Sequence, residues 1–415
     1  MSGPSRRPRA FAVLWASDTL SVFGAEITML ALPLTAALVL HASASQMGAL
    51  VAAELLPYAL FSLPAGALVD RWPKLVLLRW AAFSRALLLA TVPMAAWAGV
   101  LGFGWTLCVA FLLSCHSVFV DLAYQALFPQ LVEPDALVRA NARLGVSESA
   151  AGIAGPGLAG ALVRLFGAPM ALAADALALF AAGVMMCRIA VAERPPPPPP
   201  GETLRREIGE GLRFVWRQPL LRWVALTLAF WQLLKHAFVA VFVVFAVREL
   251  ALPAERVGLA ASAAGVGFLL ASMSVQKWVD DVGIGPTLLA GLLATVLGWG
   301  AVAAVHGSAP ASALGAAVAL EGYGAGLFFL AFVSLRQAIA PPTWLARVVA
   351  SIRFVSLGSA PLGALVGGWL GDAIGLRATL AGTALLGLGW VMVVAWRSPL
   401  SAQRRMPQRV AIEAV

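Results

Sequence analysis

Hydrophobic residues in this chain neither alternate with polar ones nor keep to a single helical stripe. They fill long runs on every face, and the runs are broken by short clusters of Gly, Pro and charged residues. Twelve such runs begin near Phe11, Gln46, Leu75, Gly104, Leu137, Ala168, Leu220, Arg256, Pro286, Ala311, Leu345 and Leu376. Each is long enough to cross a hydrocarbon core of about 30 Å, which takes about 20 helical residues. Barrel strands would alternate polar and apolar positions over about ten residues, so the pattern argues against a barrel. Helices satisfy every backbone group internally and are the predicted spanning elements. The expected class is therefore all-α integral membrane, with 12 transmembrane helices.

Composition sharpens this picture. The chain is 61% hydrophobic and 12% charged, whereas roughly a quarter of residues are charged in soluble domains. Its 29 Lys and Arg exceed its 20 Asp and Glu, and their placement follows the loops. Arg6, Arg7 and Arg9 precede the first run, and Arg71, Lys74 and Arg79 follow the second. Arg139 and Arg143 follow the fourth, Arg188 to Arg222 flank the middle of the chain, and Arg397 to Arg409 form the tail. Loops of the other parity carry chiefly Arg164, Arg248, Arg256 and Arg377. The positive-inside bias then places both termini in the cytoplasm of a bacterial-type inner membrane, and it accounts for the charge without a nucleic-acid partner. Ser5-Arg6-Arg7-Pro8-Arg9 could open a signal peptide, but the apolar run behind it is too long and contains Asp18 and Glu26, so a retained first helix is expected. Cys108, Cys115 and Cys187 fall within predicted helices and are expected to be packing residues rather than a disulfide framework.

The chain echoes itself. Gly48 precedes Asp70 by 22 positions, and Gly258 precedes Asp280 by the same 22. Pro134, Leu137 and Arg139 share the P-x-x-L-x-R spacing of Pro342, Leu345 and Arg347. Two similar hydrophobic units can rock about a central site and open it to each side of a membrane in turn. The six prolines Pro195 to Pro200 cannot continue a helix and mark the join. Glu202 to Trp216 mixes charge with Ile208, Leu212, Phe214 and Val215, the pattern of a helix lying on the membrane surface. The expected organisation is a six-helix bundle over 1–190, a linker with a surface helix over 191–218, a second six-helix bundle over 219–398, and a cytoplasmic tail over 399–415.

Gly66-x-x-x-Asp70-Arg71-x-x-Lys74 falls at the turn between the second and third helices. Glycine permits close helix approach, the aspartate can face a helix N-terminus, and the basic residues hold the turn at the surface. This stretch resembles the signature loop of the major facilitator superfamily, which implies two pseudo-symmetric six-helix bundles and a latch that stabilises one access state. In the second-half copy Asp280 is kept, but Gln276 and Asp281 stand where the glycine and arginine would be, so any latch there is expected to be weaker. Helix 5 contains Gly152-x-x-Gly155-Pro156-Gly157-x-x-Gly160, a run of small residues around a helix-breaking proline. It is similar to the helix 5 motif of superfamily antiporters, with Ala159 in place of a glycine, and the alternative is a plain packing seam. Ser21-x-x-Gly24, Glu54-Leu55-Leu56-Pro57, the turn from Pro134 to Asn141 and Pro361-Leu362-Gly363-Ala364 together resemble the enterobactin-exporter and macrolide-efflux branch. Helix 4 lacks the arginine that many proton-coupled members carry there.

A charge in the bilayer core costs about 3 kcal/mol or more unless it is paired or hydrated, so the ionisable residues inside the spans are the candidates for coupling. Glu26, near the middle of helix 1, is the first candidate proton carrier. Asp18 and Asp121 follow it, since a carboxyl that is alternately buried and hydrated can load and release a proton. The alternative is a structural carboxylate bonded to a partner helix. His116 and Asp121 are five residues apart on helix 4 and are expected to have separate partners. Arg85 is a charge-based partner for Asp18 or Asp121, Glu54 either lines a cavity or is structural, and Asp175 reads as a rim residue. In the second half Lys235 and His236 interrupt helix 7, and Glu321 stands beside Gly322-Tyr323-Gly324, where it either neutralises Lys235 or joins a substrate site. Tyr58, Tyr124, Trp231 and Tyr323 complete the cavity candidates, though aromatics in membrane helices are also packing residues and anchors.

These readings imply a monomeric secondary transporter in contact with lipid and a small-molecule substrate. The expected activity is export of a hydrophobic or amphipathic compound, drug-, macrolide- or siderophore-like, by alternating access with proton antiport. The rivals are an importer or facilitator of a small polar solute, and a receptor or scaffold that does not transport. No G-x-x-x-x-G-K-S/T loop is present, so the proton gradient rather than ATP is the expected energy source, with no cofactor. Without a nucleophile elbow or metal-ligand motif, and with only four histidines, an enzyme or metal site is not expected.

Overall fold

A computed structural model describes residues 7–132, 136–189, 212–307, 309–339 and 345–405. Among the described residues the long elements are all helical. The first six are α1 (Arg7–Leu38), α2 (Ala44–Arg71), α3 (Lys74–Trp97), α4 (Phe103–Leu131), α5 (Leu137–Phe166) and α6 (Ala168–Cys187). They are followed by α7 (Pro219–Val244), α8 (Ala254–Val282), α9 (Ile284–Ala304), α10 (Pro310–Ile339), α11 (Leu345–Ile374) and α12 (Leu376–Arg397). A π-helical turn, Phe245–Glu249, extends α7. Each helix begins within a few residues of the position at which its apolar run starts. Among the described residues twelve spans are long and apolar enough to cross a membrane. Residues that face outward agree with this: Trp97, Trp396, Leu87 and Trp80 are 90%, 94%, 72% and 71% exposed, which is tolerable only against lipid. Trp97 and Trp396 sit at helix ends, where indole rings favour the membrane interface. Cys108 and Cys187 are exposed and Cys115 is half-buried, all three as free thiols. The expectation that they pack in a core is therefore corrected for the first two: on a lipid-facing helix surface a small apolar side chain needs no core.

Contacts group the chain into two compact units. The first comprises Met1–Ala42, Ala53–Pro200 and Pro253–Leu259, and the second Ser43–Ala52, Gly201–Leu252 and Ala260–Val415. Pro195 to Pro200 and most of the stretch from Glu202 to Trp216 lie outside the described residues, although residues 212–217 are helical.

Glycines set how the helices approach each other. In the first unit a Cβ on Gly258 would strike the carbonyl oxygen of Pro156 and the backbone of Gly160, and one on Gly160 would strike Ala254 and Glu255. In the second unit Gly48 meets the carbonyl oxygen of Ala364 and the backbone of Gly368, and Gly368 meets Ala44 and Gly48. The two glycines that open the sequence echo thus do the same work, because the start of α8 crosses α5 as the start of α2 crosses α11. Gly160 and Gly368 are separated by the same interval as Pro134 and Pro342, and so are Gly167 and Gly375. Those last two make the α5–α6 and α11–α12 reversals at φ 86° and 94°, a region that favours glycine.

Polar contacts fasten both crossings. The Asp372 carboxylate accepts hydrogen bonds from Ser43 Oγ and from the amides of Ala44 and Ser45, each at 2.9 Å, which caps the N-terminus of α2. At the other crossing Arg164 pairs with Glu255 in the first turn of α8 at 3.4 Å. Leu substituted for Gly258 is expected to overpack the α5–α8 crossing and to cost about 1–3 kcal/mol, read as a lower thermal transition of the purified protein. Gly152, where an added Cβ meets nothing within 4 Å, should accept Ala with no comparable loss.

Candidate functional site

In the first unit the ionisable residues converge from four helices. α1 presents Trp15, Asp18, Thr19, Glu26 and Thr28, spaced so that Trp15 and Thr19 share one face and reach the same hydroxyl: Trp15 Nε1 donates to Ser147 Oγ at 3.0 Å, and the Thr19 and Ser147 hydroxyls are 2.8 Å apart. Arg143, one turn before Ser147 on α5, lies over the Trp15 ring at 5.8 Å. Asp18 lies beside Tyr124 and within electrostatic reach of Glu148 and Asp121, so carboxyls from α4 and α5 both act on the one from α1. Tyr58 on α2 donates its hydroxyl to Asp121 Oδ2 at 2.9 Å. His116 turns elsewhere, with Nδ1 2.7 Å from the Leu112 carbonyl oxygen and its ring beside Trp80 and Phe119, so the two ionisable residues of α4 have separate surroundings.

Glu26 is half-buried, and a Cβ added to Gly155 would strike the Glu26 side chain. The small-residue run of α5 therefore has two faces, Gly155 against Glu26 and Pro156 with Gly160 against α8. Among the described residues the Glu26 carboxylate forms no hydrogen bond or ion pair. Glu54 is half-buried, and its backbone carbonyl accepts a hydrogen bond from Ser114.

Two placements differ from the sequence reading. Asp175 is not a rim residue but is 2% exposed, lodged between α6 and α1 where Gly24 leaves room for its carboxyl. Thr28 Oγ1 donates to its Oδ2 at 2.6 Å, while Oδ1 is buried without a partner. Arg85 lies within electrostatic reach of Asp175 and Tyr58 rather than Asp18, and its Nε is also buried and unpartnered. A buried polar atom left unpaired costs about 1–3 kcal/mol, more when charged. Of the latch residues, the surroundings of Gly66 and the side chain of Asp70 lie outside what is described; Arg71 is exposed, and Lys74, only 3% exposed, opens α3. In the second-half copy Asp280 accepts a hydrogen bond from Gln276, one turn earlier, at 2.9 Å.

The second unit gathers a smaller set. Trp231 is buried against Phe328, with ring centroids 5.2 Å apart, and Lys235 Nζ lies 4.8 Å from the Trp231 centroid, a cation–π contact. Glu321 lies within reach of the Lys235 charge and beside Trp299, without a contact ion pair among the described residues. Tyr323 points away from them, toward α8, where its hydroxyl accepts from Trp278 Nε1 at 2.9 Å and meets Ser274 Oγ at 3.1 Å. His236 Nδ1 lies 2.8 Å from the Gln232 carbonyl oxygen. Residue-by-residue reading missed Glu148, which stands two helical turns before Gly155 and so shares its face. It also missed Asp372, whose signal was a carboxylate at the end of a helix that crosses another helix's first turn.

Residues 3–410 match the transmembrane secretion effector family of the major facilitator superfamily. The chain belongs to that family. It is a multi-pass secondary transporter, not an enzyme. It is 28% identical over 370 residues to the uncharacterized MFS-type transporter y4rN of Sinorhizobium fredii (strain NBRC 101917 / NGR234), covering 88% of this chain and 89% of that one. It is 27% identical over 410 residues to the uncharacterized MFS-type transporter YfiS of Bacillus subtilis (strain 168), with 94% of each covered. Among solved structures, a bacterial homologue of the iron transporter ferroportin in an inward-facing state aligns with a TM-score of 0.71 at 19% identity, over 94% of this chain and 99% of that one. A bacterial homologue of the lysosomal transporter Spinster, occupied and inward-facing, aligns with a TM-score of 0.73 at 16% identity, over 97% and 99%. The nucleoside transporter NupG aligns at 0.71 and 13%, over 95% and 98%. At these identities the solved structures share the fold.

If Lys235 is the counter-charge of Glu321, Lys235→Met should destabilise the transporter and a further Glu321→Gln should recover part of the loss. A double-mutant cycle by thermal denaturation is expected to give a coupling of about 0.5–3 kcal/mol.

Proposed function

We propose that this transporter exports a hydrophobic or amphipathic small molecule across a bacterial inner membrane, with both termini in the cytoplasm, in exchange for inward-moving protons. The observation that carries this reading is that Asp121 and Glu148 lie within electrostatic reach of Asp18, beside Tyr124, with Tyr58 bonded to Asp121, inside a unit of membrane-spanning helices. Ionisable groups persist in membrane helices chiefly where they serve an ion or substrate path. Trp15, Tyr58 and Tyr124 add aromatic surface beside the carboxyls, which suits a ligand that is apolar over most of its body and polar at one end. The family's description as secretion effectors supports export. Alternating access then requires that the proton bind one state more tightly than the other, since a ligand shifts an equilibrium only by its differential affinity.

The deciding experiment follows internal pH and substrate movement together in proteoliposomes as hydrophobic cations, macrolides and siderophores are added. Wild-type protein is expected to move a panel member against its gradient while protons flow the other way, with a protonophore collapsing the accumulation. Glu26→Gln, Asp18→Asn or Asp121→Asn should abolish the proton flux at the coupling carboxyl. Movement of substrate with no proton flux in the wild type would reject the antiport reading in favour of a facilitator.

A further inference from the structure

Two carboxyls in this protein make an instructive comparison. Asp372 collects three donors, Ser43 Oγ and the amides of Ala44 and Ser45, as an ionised carboxylate requires. Asp175 is 2% exposed and collects one, from Thr28 Oγ1 to Oδ2, while Oδ1 faces no donor. Gly24 brings the carboxyl against α1, since any Cβ there would overlap Oδ1. Of the helices packed around Asp175, α3 supplies a charge, Arg85, and α1 supplies the Thr28 hydroxyl; among the described residues α5 supplies no ionisable group that acts on it. The buried Nε of Arg85 is also without a partner.

Arg85 connects this corner to the rest of the unit. It acts on Tyr58, which donates to Asp121, and Asp121 and Glu148 both act on Asp18. Thr28 and Asp18 are ten positions apart on α1, about 15 Å along its axis. The ionisable groups are thus linked pairwise from Asp18 to Asp175, with the buried Asp175 at one end.

We propose that Asp175 is a proton-binding site of the transporter, taking its proton on Oδ1 while Thr28 holds Oδ2, with Arg85 as the mobile counter-charge that links it to Tyr58 and Asp121. A hydronium ion gives up the proton and leaves water, the carboxylate becomes a neutral acid, and no electron moves. The neutral acid no longer attracts Arg85, whose guanidinium turns toward Tyr58 and Asp121; return of the proton to water draws it back. The site stands on this geometry, and its role in driving transport rests on the antiport reading above.

The test is pH-difference infrared spectroscopy of the full-length protein in phospholipid vesicles, which needs no substrate. A carbonyl band of a protonated carboxyl is expected in the wild type, absent in Asp175→Asn and displaced in Thr28→Val, which removes the single hydrogen bond. A band unchanged in Asp175→Asn, or no such band in the wild type, overturns the assignment. If Asp175→Asn fails to fold, Thr28→Val decides alone, and an unmoved band overturns it. Proton flux into the same vesicles separates the two readings. An Asp175 band without flux upholds the site while antiport fails, and flux without an Asp175 band upholds antiport while the site fails.

Discussion

A charged or hydrogen-bonding group inside a hydrocarbon span has no water to fall back on, and that constraint sorts every polar residue in this protein. At the helix ends the charges are paired even where they are exposed: Asp372 has three donors, and Arg377 pairs with Glu249 at 3.3 Å while lying over the Phe245 ring. Within the spans of the first unit the surroundings of the carboxyls are less complete. Among the described residues Glu26 lies against a glycine with no partner, Asp175 has one donor for two oxygens, and Asp18 shares its neighbourhood with other carboxyls. Incomplete pairing is costly in lipid. Several such groups in one unit lower the stability of the fold.

That stability comes from packing rather than from the hydrophobic effect, because lipid tails are as apolar as leucine and exert no net drive between helices. Backbones must approach closely, and glycine is the residue that allows it. Gly48 on Ala364 and Gly368, and Gly258 on Pro156 and Gly160, bring carbonyl oxygens and Cα atoms into direct contact. Gly363 and Gly367 do the same for α11 against Leu233 and Ala237 of α7. Each contact is small, but together they fix the helix positions from which the ionisable side chains project.

Much of this was legible in the sequence for a physical reason. Runs of apolar residues on every face leave no choice but spanning helices, so the helix starts could be read to within a few residues. The echo between Gly48 and Gly258 marked a close approach because glycine is chosen where a Cβ cannot fit. The partners of the charges were not legible. Which helix faces Asp175 depends on tertiary packing that no local spacing encodes, and depth along the helix alone suggested a rim. The reading of Arg85 as a partner for Asp18 or Asp121 rested on sign of charge, which says nothing about direction. Glu148 and Asp372 were hidden by the habit of reading each charge within its own helix, whereas their partners lie on others.

The two halves have diverged unevenly, and the pattern says which features the fold can vary. Packing is shared: glycines stand at both crossings, and Gly160 and Gly368 keep the same interval as the reversal glycines Gly167 and Gly375. Charge is not. Asp18, Glu26, Asp121, Glu148 and Asp175 all belong to the first half, while the second offers Lys235 and Glu321. The clearest case is the pair of positions one turn beyond Gly160 and Gly368, where the first half has Arg164 and the second has Asp372. Asp372 accepts directly from the amides that open α2, using the positive end of that helix. Arg164, of opposite sign, cannot do this, and α8 instead carries Glu255 in its first turn to receive it. The same crossing is fastened by opposite charges, so the geometry of the backbone is the inherited constraint and the chemistry that occupies it is free to change.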